Sequence, residues 1–166
     1  MPQIADGKRV DRASRVIKAA PQRIYRALLD PGAIATWRAP KGMMAQIHLF
    51  DARPGGRFQM SLHYGSADHK AFGKTSADAD VVNGRFVDLV SDQRVVEQVE
   101  FVSSDSAFAG TMTITTTLKA IGSDATEVTI ECANVPVGIA PEDHQEGLTS
   151  TLENLAAYTE GPGGGG

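Results

Sequence analysis

Residues 43–64 read MMAQIHLFDARPGGRFQMSLHY, two runs of mixed apolar and polar side chains joined by a turn. In the second run Phe58, Met60, Leu62 and Tyr64 alternate with Arg57, Gln59, Ser61 and His63. A period of two sends one set to a buried face and the other to water, which is the signature of a half-buried strand. The joining residues Asp51-Ala52-Arg53-Pro54-Gly55-Gly56 supply the proline and glycines that stop one strand and reverse the chain into the next. Strands are therefore predicted over Met43–Phe50 and Arg57–Tyr64.

The same period continues downstream. After a polar connection at 65–79, strand signals resume over Asp80–Val90, with Gly84 inside the run as a bulge or a point of close approach. Ser91-Asp92 turns the chain into Arg94–Phe101, where Val95, Val99 and Phe101 share one side and Glu97 interrupts them. In Thr111–Lys119 a threonine row alternates with Met112, Ile114, Thr116 and Leu118. Threonine favours strands and tolerates water, so that row reads as the wet face rather than as a recognition surface. Gly122-Ser123-Asp124 then forms a hairpin turn, and Thr126–Cys132 returns with Val128, Ile130 and Cys132 inward.

Beyond Val135-Pro136 the period lengthens. Pro141 suits a first helical turn, Glu142 and Asp143 favour the positive end of the helix dipole, and Leu148, Thr151, Leu152, Leu155 and Tyr158 follow at spacings of three and four. This predicts a helix over about Pro141–Tyr158 whose apolar stripe needs a large partner, and the inner face of the sheet is the one on offer. Upstream, Ala13–Ala20 is compatible with a strand. Pro21 then opens a helix carrying Ile24, Tyr25, Leu28 and Leu29, which Asp30-Pro31-Gly32 ends. Ala33–Trp37 adds one more turn before the breaker Pro40-Lys41-Gly42. The expected architecture is α+β: a curved antiparallel sheet wrapped around a long C-terminal helix, with two short helices after the first strand.

Composition limits the functions such a container can have. The 166 residues suit one domain, expected over 1–160 and followed by a glycine-rich tail at 161–166 that is too flexible to order. The formal net charge is −4 and the 16 Lys and Arg are scattered, so nucleic acid is set aside as a partner. No apolar run reaches the roughly 18 residues that span a bilayer, and the first ten residues lack a secretory core, so a cytoplasmic location is expected. The one cysteine, Cys132, reads as a small buried hydrophobe in a reducing compartment. The four histidines, His48, His63, His69 and His144, show no metal-ligand spacing, and neither a nucleophile elbow nor a phosphate loop is present. No metal and no cofactor is expected.

The order of elements resembles the helix-grip arrangement of the START-like (SRPBCC) superfamily. The run from Ala20 to Pro31 with Trp37, the segment Asp51–Phe58, Gly84-Arg85-Phe86, and Glu146-Gly147-Leu148 with Leu152, Leu155 and Tyr158 are similar to one branch of it. That branch is the family named after the C-terminal domain of the heat-shock-chaperone ATPase activator. Where that family commonly has Trp after the glycine of the last helix, this chain has Leu148, which implies more room or less aromatic contact at that end. The eukaryotic activators carry a further chaperone-binding domain, for which this chain has no residues to spare, so a chaperone partner is discounted.

A curved sheet gripping a helix leaves a space, and ligand sites of that kind are mostly apolar with a few orienting polar groups. Candidate wall residues are Trp37, Phe58, Met60, Phe86, Val99, Met112, Ile114, Leu148 and Leu152. Ordinary core packing would give each of them the same pattern. The expected function is binding of a hydrophobic small molecule. The alternatives are a cavity enzyme of polyketide cyclase or dehydratase type, which the superfamily resemblance implies, and a chaperone-activator-like interaction module. A homodimer is left open. For the enzyme, Glu97 is the candidate acid–base group, with His48 and His63 behind it, because desolvation raises a carboxyl pKa toward a useful range. Pairing with an arginine, or a bulge that turns Glu97 to solvent, is the bland alternative.

Overall fold

The computed structural model describes residues 9–39, 43–64, 79–103 and 105–160. The breaker at 40–42, the connection at 65–78 with His69, and the tail at 161–166 lie outside the described residues. Seven antiparallel strands form one sheet: β1 (Val10–Ile17), β2 (Met43–Phe50), β3 (Arg57–Tyr64), β4 (Ala79–Val90), β5 (Arg94–Phe101), β6 (Met112–Ile121) and β7 (Ala125–Ala133). Their spatial order is β1-β7-β6-β5-β4-β3-β2, a meander from β2 to β7 with β1 returned to pair with the last strand. Three helices complete the fold: α1 (Pro21–Leu28), α2 (Pro31–Trp37) and α3 (Pro141–Glu160). This is the expected helix-grip architecture. Among the described residues no helix is long and apolar enough to cross a membrane.

Three local expectations shift. The first strand occupies Val10–Ile17 rather than Ala13–Ala20, because its ladder runs from Val10 opposite Ala133 to Ile17 opposite Thr126 and stops where Lys18 and Ala19 bend toward α1. Asp30-Pro31-Gly32 ends α1 and also starts α2: the Asp30 carboxylate accepts the Ala33 N–H at 2.8 Å, an N-cap with Pro31 at the first helical position. Gly84 is a close approach and not a bulge. It pairs with Phe58, and a Cβ there would sit 2.2 Å from the Phe58 ring tip. The register shifts fall instead at Ile47/Leu49 and Phe86/Asp88, flanking the site where Phe50, Phe58 and Phe86 stack with centroids 5.1 to 6.4 Å apart.

The alternation read from β5, β6 and β7 is the alternation observed. Val95, Glu97 and Val99, then Met112, Thr116 and Leu118, then Val128, Ile130 and Cys132 are all buried on one face. α3 buries Leu148, Thr151, Leu152, Leu155, Ala156 and Thr159 toward that face. Its backbone runs closest to the edge strand β1 and to α1 and α2, rather than to the middle strands. Polar ties hold the C-terminal half of α3 in this position. Arg23 donates to the Thr159 carbonyl at 3.0 Å, the Lys18 amide donates to Glu160 at 2.9 Å, and Asn154 donates to the Ala39 carbonyl at 2.8 Å. The Trp37 indole N–H donates to the Ala27 carbonyl at 2.9 Å and locks α2 onto α1.

Leu152 and Leu155 are 2% and 0% exposed. Truncating either to Ala is expected to cost about 2–5 kcal/mol, as lost burial plus the cavity left behind. Denaturant unfolding measures it, and a loss below about 1 kcal/mol would contradict this packing.

Candidate functional site

Because α3 is held over β1 and the short helices, the middle of the sheet stands away from it and a cavity of about 170 Å³ remains between them. Its floor is the inner face of β3 to β7, and its roof is the face of α3 that carries Leu148, Thr151 and Leu155. The register explains the floor. Met60 pairs with Val82, Val99 with Met112, and Ile114 with Cys132, so alternate residues of neighbouring strands meet as rows on one face.

Of the residues singled out from sequence, Trp37, Met60, Val99, Met112, Ile114 and Leu148 line this cavity. Phe58 and Phe86 lie outside its wall, packed with Phe50 in the aromatic cluster that fills the space beside Gly84. Leu152 is buried but also lies outside the wall. His48 is hydrogen-bonded to Ser61 and is not part of the cavity, and neither is His63.

Glu97 is inward, as its parity predicts, and only 5% exposed. It is paired: Arg38, at the C-terminal end of α2, donates from Nη2 to Glu97 Oε1 at 3.1 Å, so the arginine alternative describes this carboxylate. Arg38 itself lines the cavity, and its guanidinium carbon lies 5.7 Å from the Trp37 ring centroid. Sequence reasoning did not single out Arg38. Its one signal was the unexplained inward carboxylate on β5, which demands a cation from somewhere.

A second polar group went unnoticed. Asp11 lies opposite Cys132 on β1, and its Oδ2 accepts from Arg9 Nη2 at 2.9 Å and bonds His144 Nδ1 at 2.7 Å. His144, in the first turns of α3, also borders the cavity. Burial by itself would raise the Asp11 carboxyl, but hydrogen bonds from His144 and Arg9 outweigh it and hold the pKa below its ordinary value. On the same row, burial pushes the Cys132 thiol up to about 12, only partly opposed by Arg38, so it stays protonated and inert as a nucleophile. Among the described residues no group of three or more His, Cys, Asp and Glu side chains is placed to hold a metal ion.

Residues 18–160 match the family described as Activator of Hsp90 ATPase homolog 1-like protein, and the chain belongs to that family. The crystal structure of a Chromobacterium violaceum protein is similar at 31% identity with a TM-score of 0.80, covering 92% of this chain and 98% of that one. The AHSA1 protein of Silicibacter pomeroyi shares the fold at 18% identity and a TM-score of 0.71, covering 90% of this chain and 96% of that one. A solution structure of an Arthrobacter aurescens protein also shares the fold, at 14% identity and a TM-score of 0.71, covering 94% and 88%. No curated protein matches the chain.

The two polar groups make separate predictions. Arg38→Met leaves the buried Glu97 carboxyl without its partner, which is expected to cost about 3–5 kcal/mol, whereas Arg38→Met with Glu97→Met is expected to recover most of that loss. Denaturant unfolding of the two variants checks this, and equal stabilities would contradict it. For Asp11, a folded pKa below the ordinary 3.8 means stabilisation that is complete above that pH and lost as pH falls through the lower folded value. Asp11→Asn is therefore expected to cost roughly 1–3 kcal/mol at about pH 5, with the difference from the natural chain shrinking steadily in more acid solution. A difference that is the same at pH values above and below the transition would rule it out.

Proposed function

We propose that the protein binds a compact hydrophobic small molecule in the cavity between the sheet and α3. The observation that carries this reading is the cavity itself, about 170 Å³ in volume and walled mainly by Met60, Val99, Met112, Ile114, Leu148 and neighbouring apolar side chains. Its size narrows the ligand class. Drug-sized ligand sites run to about 300–1,000 Å³, whereas an engineered apolar cavity of about 150 Å³ takes up a single benzene ring. A single-ring aromatic or a short branched aliphatic molecule suits the space better than a long-chain lipid or a polycyclic polyketide. The family's helix-grip architecture supports the same reading. The acid–base alternative stands behind it, because the Glu97 carboxylate is already engaged by Arg38.

The test is thermal unfolding with single-ring aromatics and short branched aliphatics. A ligand at about 100 times its Kd adds roughly 2.7 kcal/mol, which raises Tm by roughly 5–10 °C for a chain of this size. Leu148 is the place to close the cavity: it is 8% exposed and faces the interior space from α3. Leu148→Trp is expected to abolish the shift while the variant still unfolds cooperatively. No shift from any of these ligands with the natural chain would refute the reading, and an undiminished shift in the variant would place the ligand elsewhere.

A further inference from the structure

Among the described residues, the polar side chains lining the cavity are Arg38, Thr116, Cys132, His144 and Thr151, and Arg38 carries the permanent charge. This side chain is 18% exposed, and its Nη2 donates to Glu97. Among the described residues, Nε and Nη1 meet no acceptor. The position of the guanidinium follows from its neighbours. It touches Glu97 on β5 and acts electrostatically on Cys132 on β7, and the residue between those two in the register is Ile114 of β6, a wall residue. The cation therefore sits over the centre of the floor and not at an outer rim.

The segment that carries Arg38 is also held in place. Asn154 donates to the Ala39 carbonyl at 2.8 Å, and the Arg38 amide donates to the Ile34 carbonyl at 2.9 Å. Around the same space stand the Thr116 hydroxyl, the Cys132 thiol and His144, whose Nε2 has no partner among the described residues while Nδ1 is taken by Asp11. Glu97 and Asp11 are the carboxylates of this end, and each already accepts from a cation or a histidine.

We propose that the ligand carries one anionic oxygen group, a carboxylate, on its compact apolar body, and that Nε and Nη1 of Arg38, unengaged among the described residues, receive it. This rests on the binding reading above and adds a polar head to it. A guanidinium shared between Glu97 and a ligand carboxylate keeps both hydrogen bonds charge-assisted, and the mainly apolar lining strengthens each such bond. The apolar walls hold the body, and the head fixes its direction, toward Arg38 and away from the aromatic cluster at Phe58 and Phe86.

Calorimetric titration with three matched ligands tests this: phenylacetate, its neutral isostere phenylacetamide, and ethylbenzene, which has no head group. With the natural chain, phenylacetate is expected to bind about tenfold more tightly than phenylacetamide, the typical difference between a charge-assisted and a neutral hydrogen bond. In Arg38→Met/Glu97→Met, which removes the pair together, the ratio is expected to fall to about one. Should that variant fail to fold, the ratio in the natural chain decides alone. Ethylbenzene binding with phenylacetamide equal to or tighter than phenylacetate overturns the carboxylate head and leaves the cavity reading standing. Binding of none of the three overturns both.

Discussion

The ion pair between Arg38 and Glu97 is the constraint from which the shape of the interior follows. It joins the end of α2 to the middle of the sheet at 3.1 Å, on strand β5, where packing rules would otherwise place another apolar side chain. A guanidinium and a carboxylate at the centre of a sheet cannot be covered by a close-packed leucine stripe without stranding their remaining hydrogen-bonding groups. α3 lies over the edge strand and the short helices instead, tied there through Arg23, Asn154 and the Lys18 amide. Cavity and ion pair are two aspects of one arrangement.

Most of the frame was legible in the sequence because it is written in local periodicity. Alternation placed Met112, Ile114, Thr116 and Leu118 on one face and put Glu97 among the inward residues of its strand, and the spacing of Leu148, Leu152 and Leu155 drew the gripping helix. Alternation says which way a side chain points, not what it meets there. Phe58 and Phe86 share the inward parity of Met60 and Val99, yet they close on one another because Gly84 admits the Phe58 ring where any Cβ would collide. Parity cannot separate a filled part of a core from an open one.

The polar groups were hidden for a different reason. Arg38 reaches Glu97 across 59 positions of chain, and Asp11 reaches His144 across 133. Neither pairing has a local pattern. Asp11 lay outside the expected first strand, so its inward parity opposite Cys132 was not read at all. A charged residue with the parity of the core was the mark the sequence carried for this cavity, and it stood at Glu97.

The presence of such a pair bears on the proposed binding role. Buried ion pairs add little net stability compared with well-packed apolar residues of similar volume, since desolvation cancels most of the attraction. A protein whose interior served only to hold the sheet and helix together would gain by filling this space with leucine or phenylalanine, as it does beside Gly84. Glu97 instead holds the Arg38 cation against an apolar wall, with Nε and Nη1 unengaged among the described residues. On the proposed reading, that arrangement would orient a molecule that is itself part apolar and part polar, where packing alone would leave the cavity without a preferred end.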